Sequence, residues 1–198
     1  MSIFAWFSII GISLGVAAII IVMSVMNGFR IDLTNRIIGL NSHLNIYSFD
    51  NEITNKQADE LILNIDNSFF YQHYKSIETN GLIIKSNNSK GVMIKGYDEY
   101  DKNHYLFNSI NRGALIQNPK SEILIGDSLA NEMNLSVGDK VKIAIPKTDK
   151  TILGNIPRFK TLEVVGVFDL GLYEYDSNLI FLSSELVRKL LLYDEDIY

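Results

Sequence analysis

The side chains able to do chemistry are few and scattered. His43, His73 and His104 lie far apart, and none has a second metal ligand at helix or hairpin spacing. Cysteine is absent, which excludes a disulfide framework, a thiolate metal site and a cysteine nucleophile. The acidic cluster Asp98-Glu99-Asp101 lacks the glycine and the distal glutamate of a calcium loop, and reads as a solvated turn or helix start. No Gly-x-x-x-x-Gly-Lys-Ser/Thr and no Gly-x-Ser-x-Gly occurs, so neither a phosphate cradle nor a serine-hydrolase elbow is supported. The chain therefore reads as non-enzymatic, with no catalytic residue, no metal site and no cofactor expected.

What stands out instead is Pro146 to Lys160, between two strand patterns. Two of the chain's three prolines, Pro146 and Pro157, bracket most of it. It carries Lys147, Lys150, Arg158 and Lys160 against the single acid Asp149, in a chain whose net charge is −5. A loop of that length exceeds the usual hairpin connection and is more often functional than filler. Protruding and locally basic, it suits an acidic or concave partner; the alternative is a solvated loop with no partner.

The elements that must carry this segment begin with a membrane anchor. The first 29 residues contain no charged side chain. From Ile3 to Met26 the run is nearly continuous Ile, Val, Ala, Phe, Leu and Met, long enough to cross a hydrocarbon core about 30 Å thick. A cleaved signal peptide fits poorly, because the start is neutral and the apolar run too long. A buried core helix fits poorly too, since too little chain remains to wrap it. Gly11 and Gly15 form a GxxxG, with Ser8 and Ala18 on the small-residue side, which predicts close packing on another membrane helix. Arg30 and Arg36 follow the span and nothing basic precedes it; counted literally, that places the following domain in the cytoplasm. Large following domains cross largely regardless of charge, so orientation stays open on this ground. Met1-Ser2-Ile3 enters the span without flanking residues, and an N-terminal basic stretch is expected to be missing.

Beyond the span, helical spacing continues through Ile38 and is expected to stop near Gly39. His43 to Phe49 alternates as a first strand. Thr54 and Gln57 form a capping box for a helix striped with Ala58, Leu61, Ile62 and Ile65. Tyr74 to Tyr97 reads as a hairpin turning at Asn87-Asn88-Ser89. Ile123 to Ile125 is a short strand, and Asp127 is expected to cap the helix after it. Strands follow at Val141–Ile145, Leu162–Phe168 and Leu179–Leu182, and Ser183 with Glu185 caps a last helix through Leu192. About seven strands and three helices follow the span. At 47% hydrophobic and 21% charged, the chain is not disordered, and its acidity argues against nucleic acid as a partner. The final Asp194-Glu195-Asp196-Ile197-Tyr198 breaks off where a further strand is expected.

Ile12-Ser13-Leu14-Gly15-Val16, with Val22-Met23-Ser24-Val25-Met26-Asn27-Gly28-Phe29-Arg30, resembles the first membrane helix of the lipoprotein-releasing ABC transporter permeases of LolC/LolE type. Val164-Val165-Gly166-Val167-Phe168-Asp169, followed by Gly171-Leu172-Tyr173-Glu174-Tyr175-Asp176-Ser177, is similar to the same family's periplasmic domain. The resemblance covers essentially the whole chain. Ile125-Gly126-Asp127 with Leu129-Ala130 and Val137-Gly138-Asp139 is shared more loosely with MacB/FtsX-like permeases for export or cell division.

The resemblance implies an α+β chain with one N-terminal transmembrane helix followed by a mixed α/β MacB-like periplasmic domain. Residues 1–39 would be the transmembrane helix with its periplasmic extension, and 40–198 the core domain, incomplete at its C-terminus. The N-terminus would lie inside a bacterial inner membrane and the domain in the periplasm. The implied partners are a cytoplasmic ATPase subunit that hydrolyses ATP, a second permease (self or paralogue), lipoprotein cargo, membrane lipid and a periplasmic lipoprotein chaperone. A hook would contact the chaperone through Pro146, Lys147, Thr148, Leu153, Gly154, Ile156, Pro157 and Arg158, with Lys142 and Lys160 as the basic positions beside it. There lysine replaces the family's arginine and forfeits the bidentate fork, and the hook is slightly shorter. Met26, Asn27, Gly28, Phe29 and Arg30 would open a transmission helix running to Ile38. The family's three further membrane helices are missing here, so the chain is expected to be a fragment, a split product or a truncated copy. A singly anchored periplasmic scaffold or sensor is the alternative outside transport.

Overall fold

The computed structural model describes residues 3–40, 44–48, 53–64, 74–97, 105–151, 154–193 and 197. Continuous apolar residues without a proline build one helix, α1 (Ile3–Leu40). At 1.5 Å per residue it is about 57 Å long, of which the apolar Ile3–Met26 portion takes about 36 Å. The helix is long and apolar enough to cross a membrane, with side chains such as Phe4, Ile12 and Val22 exposed. It ends at Leu40, one residue past the glycine expected to stop it. Arg36 Nε donates to Asp32 Oδ2 at 2.9 Å, one turn away. The chain divides into two units, Met1–His43 and Leu44–Tyr198.

The second unit is built on a seven-stranded mixed sheet. Its strands are β1 (Ile77–Lys85), β2 (Asn88–Tyr97), β3 (Ile110–Gly113), β4 (Glu122–Gly126), β5 (Lys140–Thr151), β6 (Gly154–Phe168) and β7 (Leu179–Ser183). They run in the order β3-β6-β4-β7-β2-β1-β5, and β5 pairs back onto β6. Six strands therefore close into a small barrel, with β3 attached to β6. Pairs β2–β7 and β4–β6 are parallel and the rest antiparallel. Alternation decides which side chains point inward: Ile83, Ile94, Ile123, Ile125, Ile143, Val164 and Ile180 are fully buried in one cluster.

Short helices plug and flank the barrel. In α4 (Asp127–Glu132) Leu129 and Ala130 reach the core, and in α6 (Ser184–Leu191) Leu186, Val187, Leu190 and Leu191 do so. Ser183 caps α6 as expected, its Oγ accepting from Leu186 N–H at 3.2 Å; Glu185 instead pairs with Lys189 one turn on. Gly96 permits this closure, because a Cβ there would meet Val187 Cγ2 and Ser184 Cα at 3.1 Å. On the outer face of β4, β6 and β7 lies a second buried layer. Leu124, Phe168 and Phe181 are fully covered there, with the Phe168 and Phe181 rings edge-to-face at 5.2 Å. The other helices are α2 (Asn55–Asn64), α3 (Tyr105–Asn108) and α5 (Tyr173–Asn178). Thr54 and Gln57 form the expected capping box: Gln57 Oε1 accepts from Thr54 N–H at 2.9 Å, and Thr54 Oγ1 from Gln57 N–H at 3.3 Å.

Four expectations are corrected. Residues 44–48 form no strand: Leu44, Ile46 and Tyr47 are exposed and no described strand pairs with them, so alternation there lacks a ladder. The β1–β2 turn falls one residue earlier than expected, at Ser86-Asn87, with Lys85 opposite Asn88 and Ser86 at φ 53°. The inward positions Ile83, Val92 and Ile94 set that register. Asp127 does not cap α4. Gly126 is the cap, pressed so tightly on α5 that a Cβ would stand 2.1 Å from the Asp176 carbonyl oxygen. The Asp127 carboxylate instead accepts from Arg112 Nη2 at 2.6 Å and from Asn131 Nδ2 at 2.9 Å. Finally, Pro146 to Lys160 is not a loop. Strands β5 and β6 carry their ladder out to Thr151 opposite Gly154, making a hairpin arm. Its prolines are tolerated because Pro146 sits in the irregularity between Ile145 and Thr148, and Pro157, opposite Thr148, lies in a strand that, among the described residues, β5 alone flanks there.

Candidate partner-binding arm

The arm grows from the barrel wall. Val141, Ile143 and Ile145 of β5 and Leu162 of β6 are buried at its base, so the ribbon leaves the barrel on an apolar footing. The turn before β5 is pinned on three sides. Asp139 Oδ2 accepts from Ser136 N–H at 2.9 Å and from Lys85 Nζ at 2.8 Å, and the same ammonium reaches Asn134 O at 2.5 Å. The lysine hydrogen bond, then the Ser136 N–H, hold the Asp139 carboxyl below its ordinary range. Gly138, at φ 93°, lets the chain turn there and donates its N–H to Val164 O at 2.8 Å.

Register decides what each arm residue faces. Lys142 stands opposite Ile84 on β1 and Thr161 on β6, whereas Lys160 stands opposite Ile143. Cross-strand partners share a face and neighbours alternate, so Lys142 and Lys160 lie on opposite faces of the ribbon. Arg158, opposite Ile145, shares the face of Lys160. Pro146, Lys147 and Thr148 lie in β5, and Gly154, Ile156 and Pro157 in β6; Leu153 lies outside the described residues. One feature was missed at the sequence level. Leu82, Ala144 and Phe159 stand side by side across β1, β5 and β6, and Phe159 is 56% exposed. The signal was present: Leu162 and Val164 point inward, so an aromatic three residues before Leu162 must point out.

Far from the arm, α5 is held by a buried acid. Asp176, 3% exposed, accepts from Leu170 N–H at 2.9 Å and Leu172 N–H at 3.1 Å, fixing the bend after β6. Burial pushes its pKa up, the two N–H groups pull it down in part, and the Asp169 charge raises it further. Gly11 and Gly15 lie one turn apart in α1 with open space around both. Met26, Asn27, Gly28, Phe29 and Arg30 belong to the same unbroken helix. No group of three metal-ligating side chains occurs among the described residues; His43, His73, His104 and Asp98-Glu99-Asp101 lie outside them. A hollow of about 350 Å³ beside α2 is lined by Ile46, Tyr47, Ile53 and Leu61.

Residues 5–196, which take in nearly all of α1 and of the unit that holds the barrel, match the family model of the MacB-like periplasmic core domain. The chain belongs to that family. The lipoprotein-releasing system transmembrane protein LolC of Neisseria meningitidis is 28% identical over 205 residues, covering 100% of this chain and 48% of that protein. The LolC of Buchnera aphidicola from Acyrthosiphon pisum is 27% identical, covering 96% and 47%, and the LolE of Haemophilus influenzae is 28% identical, covering 73% and 36%. The chain thus spans about half the length of the curated LolC relatives it matches. The MacB-like fold is also that of the extracellular domain of the ABC-type transporter YknZ from Gram-positive bacteria. There the TM-score is 0.51 at 14% identity, covering 74% of this chain and 70% of that one.

Proposed function

We propose that this chain serves in a permease subunit of an ABC transporter that releases lipoproteins from the bacterial inner membrane, and that its arm hands them to a periplasmic chaperone. The observation that carries this reading is the match to lipoprotein-releasing transmembrane proteins along the entire chain, membrane helix included. In this reading α1 crosses the membrane once and the barrel lies in the periplasm. Gly11 and Gly15 pack on a helix of the same or a second permease, a paralogue or another copy. The stretch from Met26 through Arg30 begins the transmission element that carries motion from a separate cytoplasmic ATPase into the barrel. Arm residues 146–158 contact the chaperone, with Lys142 on one face of the ribbon and Lys160 on the other.

Capture of the chaperone by the detergent-solubilised chain tests the arm. The unaltered chain is expected to retain it, and a variant with Lys147 to Arg158 replaced by a short Gly/Ser turn to lose it. Equal capture by both removes the arm from the reading. Lipoprotein release in cells depleted of the protein tests the cargo: unchanged release rules the transport role out.

A further inference from the structure

Strand β6 is flanked unevenly. At Glu163 it pairs with Lys140 of β5 on one edge and Glu122 of β4 on the other. Before Glu163 the β4 edge has no strand on it among the described residues, while β5 continues along the opposite edge to Gly154. Backbone direction follows from two hydrogen bonds. Glu163 donates its N–H to Ser121 O at 2.8 Å, toward β4, and Val164 donates to Asp139 O at 2.9 Å, toward β5. Alternation then turns the N–H and C=O groups of Phe159 and Thr161 to the vacant edge, in line with β4. Such an edge is a template for an added strand. Pro157 blocks it toward the tip, and residues 158–162 contain no further proline.

We propose that this edge of β6, Arg158 to Leu162, receives an extended segment of a partner protein in which acidic and apolar residues alternate. The side chains on the two faces select that partner. Lys160 lies on one face and exposed Phe159 on the other, so an incoming strand meets positive charge on one side and an aromatic ring on its other. A second copy of this chain fits badly. Antiparallel self-pairing centred here brings Lys160 of both copies together, and like charges opposite one another destabilise a strand pair. The inference rests on the reading of the arm as a docking handle and specifies what the handle accepts.

The probe is a capped hexapeptide of alternating Val and Glu, added to the full chain in detergent, with hydrogen exchange read at single amides. The expected result is saturable slowing of exchange at Phe159 and Thr161. A peptide with Lys in place of Glu leaves those amides unchanged, and one N-methylated at alternate positions fails to protect them. Thr161→Pro, which removes an outward N–H and leaves the β5 ladder intact, is expected to weaken binding about tenfold, the effect of one to two main-chain hydrogen bonds. Thr161→Ala, which keeps the N–H, binds as the unaltered chain. Absence of slowing at both amides, or equal protection by the Lys peptide, overturns the proposal. A chain with residues 147–156 shortened to a Gly/Ser turn separates the two ideas. Loss of chaperone capture with peptide protection retained supports the edge and the handle together. Loss of capture with no protection in either chain overturns the edge and leaves the handle standing.

Discussion

The two halves of β6 are one continuous strand under opposite conditions. From Glu163 to Phe168 it has a strand on each edge for most of its length, an apolar core beneath and a second buried layer above, ending in fully covered Phe168. From Gly154 to Leu162 it is paired, among the described residues, on one edge only and carries Phe159 in the open. The sequence of each half fits its surroundings: Val164-Val165-Gly166-Val167-Phe168 is continuously apolar, while Pro157-Arg158-Phe159-Lys160-Thr161 mixes charge, proline and one aromatic. Burial on both faces demands the first pattern. The second tolerates charge because solvent or a partner takes one face. What this teaches is that a strand's role changes along its length, and that two phenylalanines nine positions apart do different work.

The largest effect expected follows from that pair. Phe168→Ala removes a ring packed edge-to-face on Phe181, and should cost about 3–5 kcal/mol by denaturant unfolding. Phe159→Ala, at an exposed position, should change stability by no more than about 0.5 kcal/mol. Similar losses for both would dissolve the contrast between the halves.

A smaller effect contrasts the two acids that brace either end of the buried half. Asp139 is held low by Lys85 and Ser136, so its contribution is present above the ordinary carboxylate range and fades as pH falls through its lowered value. Asp176 is raised by burial, so its contribution is present below that range and fades as pH rises through its raised value. Melting temperatures between pH 3 and 7 should therefore move oppositely. The unaltered chain gains on Asp139→Asn as pH rises and loses ground to Asp176→Asn over the same interval. Parallel pH profiles for the two variants would sink the assignment.

Much of this was legible in the sequence, for reasons specific to each element. The apolar run from Ile3 needs only length and composition. Strands β4, β6 and β7 carry dense apolar residues, and the Thr54 and Ser183 caps are local chemistry. What escaped depends on partners remote in sequence. Strand β3 (Ile-Asn-Arg-Gly) has almost no apolar residue and exists because β6 offers it an edge. Alternation at Leu44 and Ile46 promised a strand that no ladder completes. The arm read as a loop because its prolines and charges are loop residues by composition; only pairing between β5 and β6 makes them a ribbon. The same pairing shows that Lys142 and Lys160, similar in type and position beside the arm, look in opposite directions.

The finest expected effect turns on those two lysines. Each is exposed, so Lys142→Ala and Lys160→Ala should each shift stability by no more than about 0.5 kcal/mol. Their effects on partner capture are the informative quantity. Two charges on one patch, sharing a bound carboxylate, would couple in a double-mutant cycle. Two charges on opposite faces of a ribbon share no contact, and their coupling should stay within about 0.3–0.5 kcal/mol. Dissociation constants for the unaltered chain, both single variants and the double variant decide this. Additive losses mean that the partner wraps both faces. A loss confined to Lys160→Ala means that it contacts only the face shared with Arg158. Coupling well above that range would place both ammonium groups against the same partner atoms, which the observed register forbids.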